Sequence, residues 1–219
     1  MNPRRRVRIF VLLFFGAVGA GLILLKPFDA VFRIEGYAPE ILEASASSGL
    51  GDPFLLAGLV FAESRGRAGA VSKTGARGLC QLIPSTAEEV ALRHGLKGDL
   101  EEPGVNLFLG ARYLRNCLDG FDGDLDLGLL AYRLGPGAVR RGIREAGGVE
   151  AWVEIMRHKT PSPWEYRTQV LRLRDRFRER AEAGVGWPEA PAAPSWTTRG
   201  IATSASGDTD AGLLSDEGS

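Results

Sequence analysis

Three patterns of apolar and polar positions succeed one another along the chain. Residues 9–25, Ile9 to Leu25, form an apolar run without a charge, about 25 Å long as a helix and at the short end of what crosses a bilayer core. From Tyr37 to about Ala183, apolar residues recur at helical spacing, interrupted by Gly- and Pro-containing breaks. From Gly184 onward Pro, Ala, Ser, Thr, Gly and Asp dominate, and such a segment buries too little apolar surface to offset its ordering entropy. The expected organisation is therefore a basic flank at 1–8, a transmembrane signal-anchor at 9–25, a linker at 26–36, a helical domain at 37–183 and a disordered tail at 184–219.

Within the domain the pattern predicts a first helix with Pro39 in its opening turn and Ile41, Leu42 and Ala46 on one face. Gly49, Gly51 and Asp52 break it. Pro53 opens a second helix whose stripe is Leu55, Leu56, Leu59 and Val60, ending near Glu63-Ser64. Residues 66–82 are rich in small residues and predict an irregular or short β-like excursion. Ser85 and Glu88 have capping-box spacing, which predicts a helix start there. Asn106 to Leu118 is a further helix, and 125–134 is an apolar segment stopped by Gly135-Pro136-Gly137. Helices then follow at Ala138–Ala146 and from Trp164 to about Ala183, the last with Val170, Leu173, Phe177 and Ala181 on one face. The fold class is mainly α, with at most a small β element, preceded by one N-terminal transmembrane helix.

Charge changes this picture in two places. Arg4, Arg5, Arg6 and Arg8 precede the apolar run, which keeps the N-terminus in the cytoplasm and delivers the rest outside; a cleaved signal peptide leaves the domain on the same side. Lys+Arg and Asp+Glu are equal at 27 each, and the basic helix at 164–183 is interleaved with Glu165, Asp175, Glu179 and Glu182. No nucleic-acid partner is expected. Cys80 and Cys117 are too few for a disulfide scaffold or a zinc site. They either pair in an oxidising compartment or pack as small hydrophobes. His94 and His158 form no His-x-x-x-His pair, and no metal or cofactor is expected.

Candidate chemistry centres on Glu63, the only acid in the stretch Leu-Leu-Ala-Gly-Leu-Val-Phe-Ala-Glu-Ser. A carboxyl against an apolar surface loses solvation, its pKa rises, and it can serve as a general acid. Glycosidic cleavage needs such a proton donor for the leaving oxygen. Alone, a carboxyl at a helix end is most often a surface group. Downstream stand Ser72, Gly75-Ala76-Arg77-Gly78-Leu79-Cys80-Gln81, Asn106-Leu107, Gly110, Tyr113-Leu114, Ala131-Tyr132-Arg133-Leu134-Gly135-Pro136-Gly137 and Glu165-Tyr166-Arg167-Thr168-Gln169-Val170. Together these resemble the soluble lytic transglycosylase family over roughly Tyr37 to Phe177. That family's pattern is Glu-Ser, a Ser with Gly-Ala-x-Gly-Leu-Met-Gln, Ala-Tyr-Asn-Ala-Gly-Pro, and Glu-Thr-Arg-x-Tyr-Val. The chain departs from it at Cys80 for Met, at Arg133-Leu134 for Asn-Ala, and at Gln169 for Tyr.

The resemblance implies a lysozyme-like domain that cleaves peptidoglycan between N-acetylmuramic acid and N-acetylglucosamine. Glu63 is implied as acid and then base, with a 1,6-anhydro-muramoyl product and no added water. Ser72, Gln81, Tyr132, Arg133 and Glu165 are implied as substrate-binding, Tyr132 with its hydroxyl toward the acid and Glu165 lining the cleft. Glu165 equally suits a first-turn acid on the last helix. The implied setting is the bacterial inner membrane, single-pass through 9–25, with the domain in the periplasm or otherwise outside the cytoplasm, and a wall-building or secretion assembly as a candidate partner. Two readings on the same fold compete. One is a muramidase, which needs a second carboxylate such as Asp122, Asp124 or Asp126. The other is an inactive wall-binding scaffold.

Overall fold

The computed structural model describes residues 29–95 and 99–188. The expected transmembrane run at 9–25 lies outside these residues, as does the tail from 189. Among the described residues no helix is long and apolar enough to cross a membrane. Eight named helices follow in order: α1 (Ala38–Ser47), α2 (Pro53–Ser64), α3 (Pro84–Arg93), α4 (Pro103–Asp119), α5 (Leu125–Leu134), α6 (Pro136–Ala146), α7 (Val149–His158) and α8 (Pro163–Glu182). Residues 29–35 are also helical.

The scaffold is built round α2. Asp52 caps it, its carboxylate accepting from Leu55 N at 3.0 Å, and Pro53 occupies the first turn, where its missing N–H is no loss. Leu55, Leu56, Leu59 and Val60 are at most 2 % exposed, each contributing about 1.5–3 kcal/mol by burial. The helix packs most heavily on α8. Gly58 makes that approach possible: a Cβ there would stand 2.5 Å from Val170 O. Asp52 also accepts from Arg174 Nε at 2.6 Å, so one carboxylate caps α2 and clamps α8. Around this pair, α4 packs against α1, α3 and α5, and α6 and α7 extend the bundle past α5.

Several boundaries differ from the sequence expectation. Helix α3 begins at Pro84, with Ile83 as its N-cap and no side-chain cap, so Ser85 lies inside the first turn and the expected capping box does not form. Helix α4 starts three residues early because Glu102 caps it, accepting from Val105 N at 2.7 Å. Helix α7 is absent from the sequence expectation: its apolar residues are spread round the helix, and Trp152 and Met156 alone are buried, one turn apart. Part of the expected linker is helical, since Ala30, Val31 and Ile34 present one apolar face and are at most 1 % exposed. The β-like excursion reduces to two isolated antiparallel bridges, Val71 with Arg77 and Arg77 with Leu82.

Candidate active site

Glu63 stands in the last turn of α2. The helix ends immediately beyond it, where Arg65 takes a left-handed conformation at φ 55°. Ser64 secures this end, donating to Val60 O and accepting from Gly66 N, both at 3.2 Å. The Glu63 side chain is only 6 % exposed. Tyr166 on α8 donates its hydroxyl proton to Glu63 Oε1 at 2.7 Å. Arg133, at the end of α5, brings Nη1 to 3.7 Å from Oε2 and lies over the Tyr166 ring, 5.3 Å from its centroid. Burial pushes the Glu63 pKa above the ordinary carboxylate range, against the lowering effects of the Tyr166 hydrogen bond and the Arg133 charge. Burial, then the neighbouring Glu63 charge, holds the Tyr166 phenol well above its usual pKa, so that hydroxyl remains a donor.

Glu63 forms part of the wall of a cavity of about 510 Å³, with Ser72, Lys73, Gln81, Tyr113, Tyr132, Arg133 and Leu134 among the other lining residues. Five of the six residues singled out from the sequence therefore meet in one place. Glu165 does not: it is exposed on the first turn of α8 and away from the described lining. Ser72 shapes the wall through its turn, its hydroxyl accepting from Thr74 N at 3.2 Å and Ala76 N at 3.0 Å. Gln81 has φ 49° and donates from Nε2 to Ala70 O and Gly78 O, which closes the loop on itself. The Tyr132 hydroxyl donates to Cys80 O at 2.8 Å. The hydroxyl on the carboxyl is that of Tyr166.

Asp122, Asp124 and Asp126 do not line the cavity. Asp124 caps α5 by accepting from Asp126 N and Leu127 N, and Asp126 pairs with Arg167. Glu63 is the only carboxylate among the described lining residues. Cys80 and Cys117 are free thiols, both buried. Burial pushes the Cys117 thiol up to about 12 and Cys80 higher still.

Two residues were given no role from the sequence. Asn106 is 1 % exposed and holds the loop that carries Gln81. Its Oδ1 accepts from Cys80 N at 2.8 Å, and its Nδ2 donates to Arg77 O and Leu100 O. Gly78, at φ 78°, leaves the room: a Cβ there would collide with the Asn106 amide. Tyr166 is the other. Its signal was present in the departure at Gln169, because a tyrosine stands three residues earlier, one helical turn away on a neighbouring face.

Known proteins resemble this chain in sequence and in fold. The transglycosylase SLT domain pattern matches residues 41–155. The chain is 41% identical over 92 residues to a transglycosylase of Enterobacteria phage PRD1, covering 42% of this chain and 32% of that protein. It is 39% identical over 95 residues to the endo-type membrane-bound lytic murein transglycosylase A of Klebsiella pneumoniae, covering 41% and 46%. Among solved structures, an inactive mutant of the lytic transglycosylase Slt from Pseudomonas aeruginosa superposes with a TM-score of 0.58 at 27% identity, over 65% of this chain and 24% of that one. The 70 kDa soluble lytic transglycosylase of Escherichia coli gives 0.52 at 25% identity, over 61% and 22%. The matches thus span less than half the length of each of these relatives. The matched pattern takes in over half of this chain, from α1 through the acid to α7, and the chain belongs to the transglycosylase SLT domain family.

Proposed function

We propose that this protein is a peptidoglycan lytic transglycosylase in which Glu63 is both acid and base. The observation that carries the reading is a single buried carboxyl in the wall of a cavity of about 510 Å³, with no second carboxylate among the described lining residues. A hydrolase that activates water opposite the acid needs that second group. One carboxyl suits a reaction whose nucleophile is supplied by the substrate itself.

Glu63, whose burial favours the protonated form, gives its proton to the glycosidic oxygen between the muramoyl and glucosaminyl units, and the C1–O bond breaks. The substrate's N-acetyl oxygen stabilises the charge at C1. The carboxylate left behind faces the Tyr166 hydroxyl and the Arg133 guanidinium, which hold it as an anion ready to accept a proton. It takes that proton from the muramoyl C6 hydroxyl, whose oxygen bonds to C1 and closes the 1,6-anhydro ring. The attacking oxygen is in the same sugar, so proximity lowers the barrier without a bound water. Ser72, Gln81, Tyr132 and Arg133 form the wall against which the glycan lies. The run at 9–25 anchors the domain to the inner membrane on its outer face, where the polymer is found.

Mass spectrometry of muropeptides released from purified sacculi tests the reaction. Anhydro-muramoyl ends are expected, and Glu63→Gln should release none. Products carrying an added water identify a muramidase instead. Binding to sacculi with no soluble product identifies a scaffold.

A further inference from the structure

The helical stretch 29–35 turns one face to the core and one outward. Ala30, Val31 and Ile34 are buried, whereas Asp29, Phe32 and Arg33, at helical spacing, are exposed. The loop that follows Glu63 packs on this stretch. A Cβ on Gly66 would stand 2.9 Å from Ile34 Cγ1, and Arg33 Nε donates to Arg65 O at 3.3 Å. Between stretch and loop lies a depression of about 550 Å³, with Arg33, Tyr37, Arg67 and Val71 in its wall and no carboxylate among the described lining residues. Arg33, Arg65 and Arg67 are exposed, and none has a carboxylate partner among the described residues. Of the two acids in the stretch, Glu35 is taken by Arg180, which leaves Asp29. Phe32 is 61 % exposed and Val71 67 %. Three guanidiniums without carboxylates thus stand among open apolar side chains.

We propose that this face docks on the headgroups of anionic phospholipids and fixes how the domain sits on the bilayer. This docking rests on the anchor assigned above. Asp29 follows Leu25, the last residue of the apolar run, by four positions, a separation of at most about 14 Å however the chain runs. The headgroup layer is ~5–8 Å deep on each side of the hydrocarbon core, so the stretch 29–35 begins inside that layer or directly above it. The side chains it presents match the layer. Arginine grips a phosphodiester through two parallel N–H donors, and Phe32 and Val71 can enter the boundary between headgroups and acyl chains. The short tether brings lipid to these arginines ahead of any other anion. The docked loop runs from Glu63 to Ser72, both in the wall of the catalytic cavity. Contact with lipid therefore orients that cavity to the membrane and directs cleavage to the glycan nearest it.

The test uses the full chain in vesicles of phosphatidylcholine, alone or mixed with phosphatidylglycerol, carrying a lipid with a nitroxide headgroup as quencher. Cys80 and Cys117 are buried, so a thiol-reactive fluorophore reports from Val71→Cys, with Ile155→Cys on α7 as the control. The label at 71 should be quenched in mixed vesicles, more than the control, and released by salt. Arg33→Gln/Arg67→Gln should lower the docked fraction about fivefold per arginine, about 25-fold in all. Equal quenching in the two kinds of vesicle, equal quenching at the two labels, or no change in the double variant overturns the docking. The comparison of lipid compositions needs no change at the arginines and decides the matter even if the double variant misfolds. Flotation of the same vesicles separates docking from anchor. A chain that floats with both kinds but shows no lipid-dependent quenching keeps the anchor and rejects the docking. One that floats with mixed vesicles only, and sinks in the double variant, rejects the anchor and keeps the docking. One that floats with neither rejects both.

Discussion

At the scale of single residues, the acid is shaped by three groups acting in opposite directions. Burial raises the Glu63 pKa, and Tyr166 and Arg133 bring it partway back. Because the folded-state value lies above the unfolded one, the folded protein holds a proton that the unfolded chain releases. Stability is then fully present below the ordinary carboxylate range and declines as pH rises through the raised value. Glu63→Gln removes this dependence. Its melting temperature should exceed that of the native protein at neutral pH, and the two should converge in acid, as calorimetry across pH will show. Tyr166→Phe removes a hydrogen bond that favours the charged form. The alkaline limb of kcat/KM should therefore move to higher pH, with kcat reduced roughly tenfold by loss of a charge-assisted bond. A pH profile unchanged from native would show that the phenol does not control the carboxyl.

At the scale of elements, the loop at 65–83 obtains its shape from a different part of the chain. Three backbone groups of its neighbourhood end on the Asn106 amide, a side chain presented by α4. Replacing it with Leu leaves buried donors and acceptors unpaired and should cost about 3 kcal/mol. Urea unfolding measures that loss, and KM for glycan should rise because Gln81 rides on the loop. This arrangement also shows what local pattern reading reaches. The stripe of Leu55, Leu56, Leu59 and Val60 announces α2, and Gly135-Pro136 announces the junction of α5 and α6, since both signals sit in consecutive residues. The start of α4 was hidden because its cap is a glutamate, and α7 because only Trp152 and Met156 face inward. Most of the cavity's lining followed from ordered motifs. Its tyrosine partner did not, because whether Tyr132 or Tyr166 reaches the carboxyl depends on how α5 and α8 pack on α2.

At the scale of the whole molecule, the fold is closed at both ends by contacts across the length of the sequence. Glu35, with a side chain 5 % exposed, accepts from Arg180 Nε at 2.5 Å and Nη2 at 2.9 Å. Trp187 sets its ring edge-on to Phe54 and Phe177, at 5.0 and 5.9 Å. A protein ending at 183 lacks this aromatic contact and should melt lower than one ending at 188, by roughly 3–8 °C for a loss of ~1–2 kcal/mol; differential scanning fluorimetry of the two forms decides it. Position 186 lies so close to Glu35 that a Cβ on Gly186 would meet that carboxyl. Residues near the start and the end of the described chain therefore lie side by side. A unit whose entry and exit coincide can be spliced into a surface loop of another protein, or have its ends joined and be reopened elsewhere, without pulling its helices apart. The ion pair of Glu35 and Arg180 sets the two margins of the domain together, which is the arrangement such transplants call for.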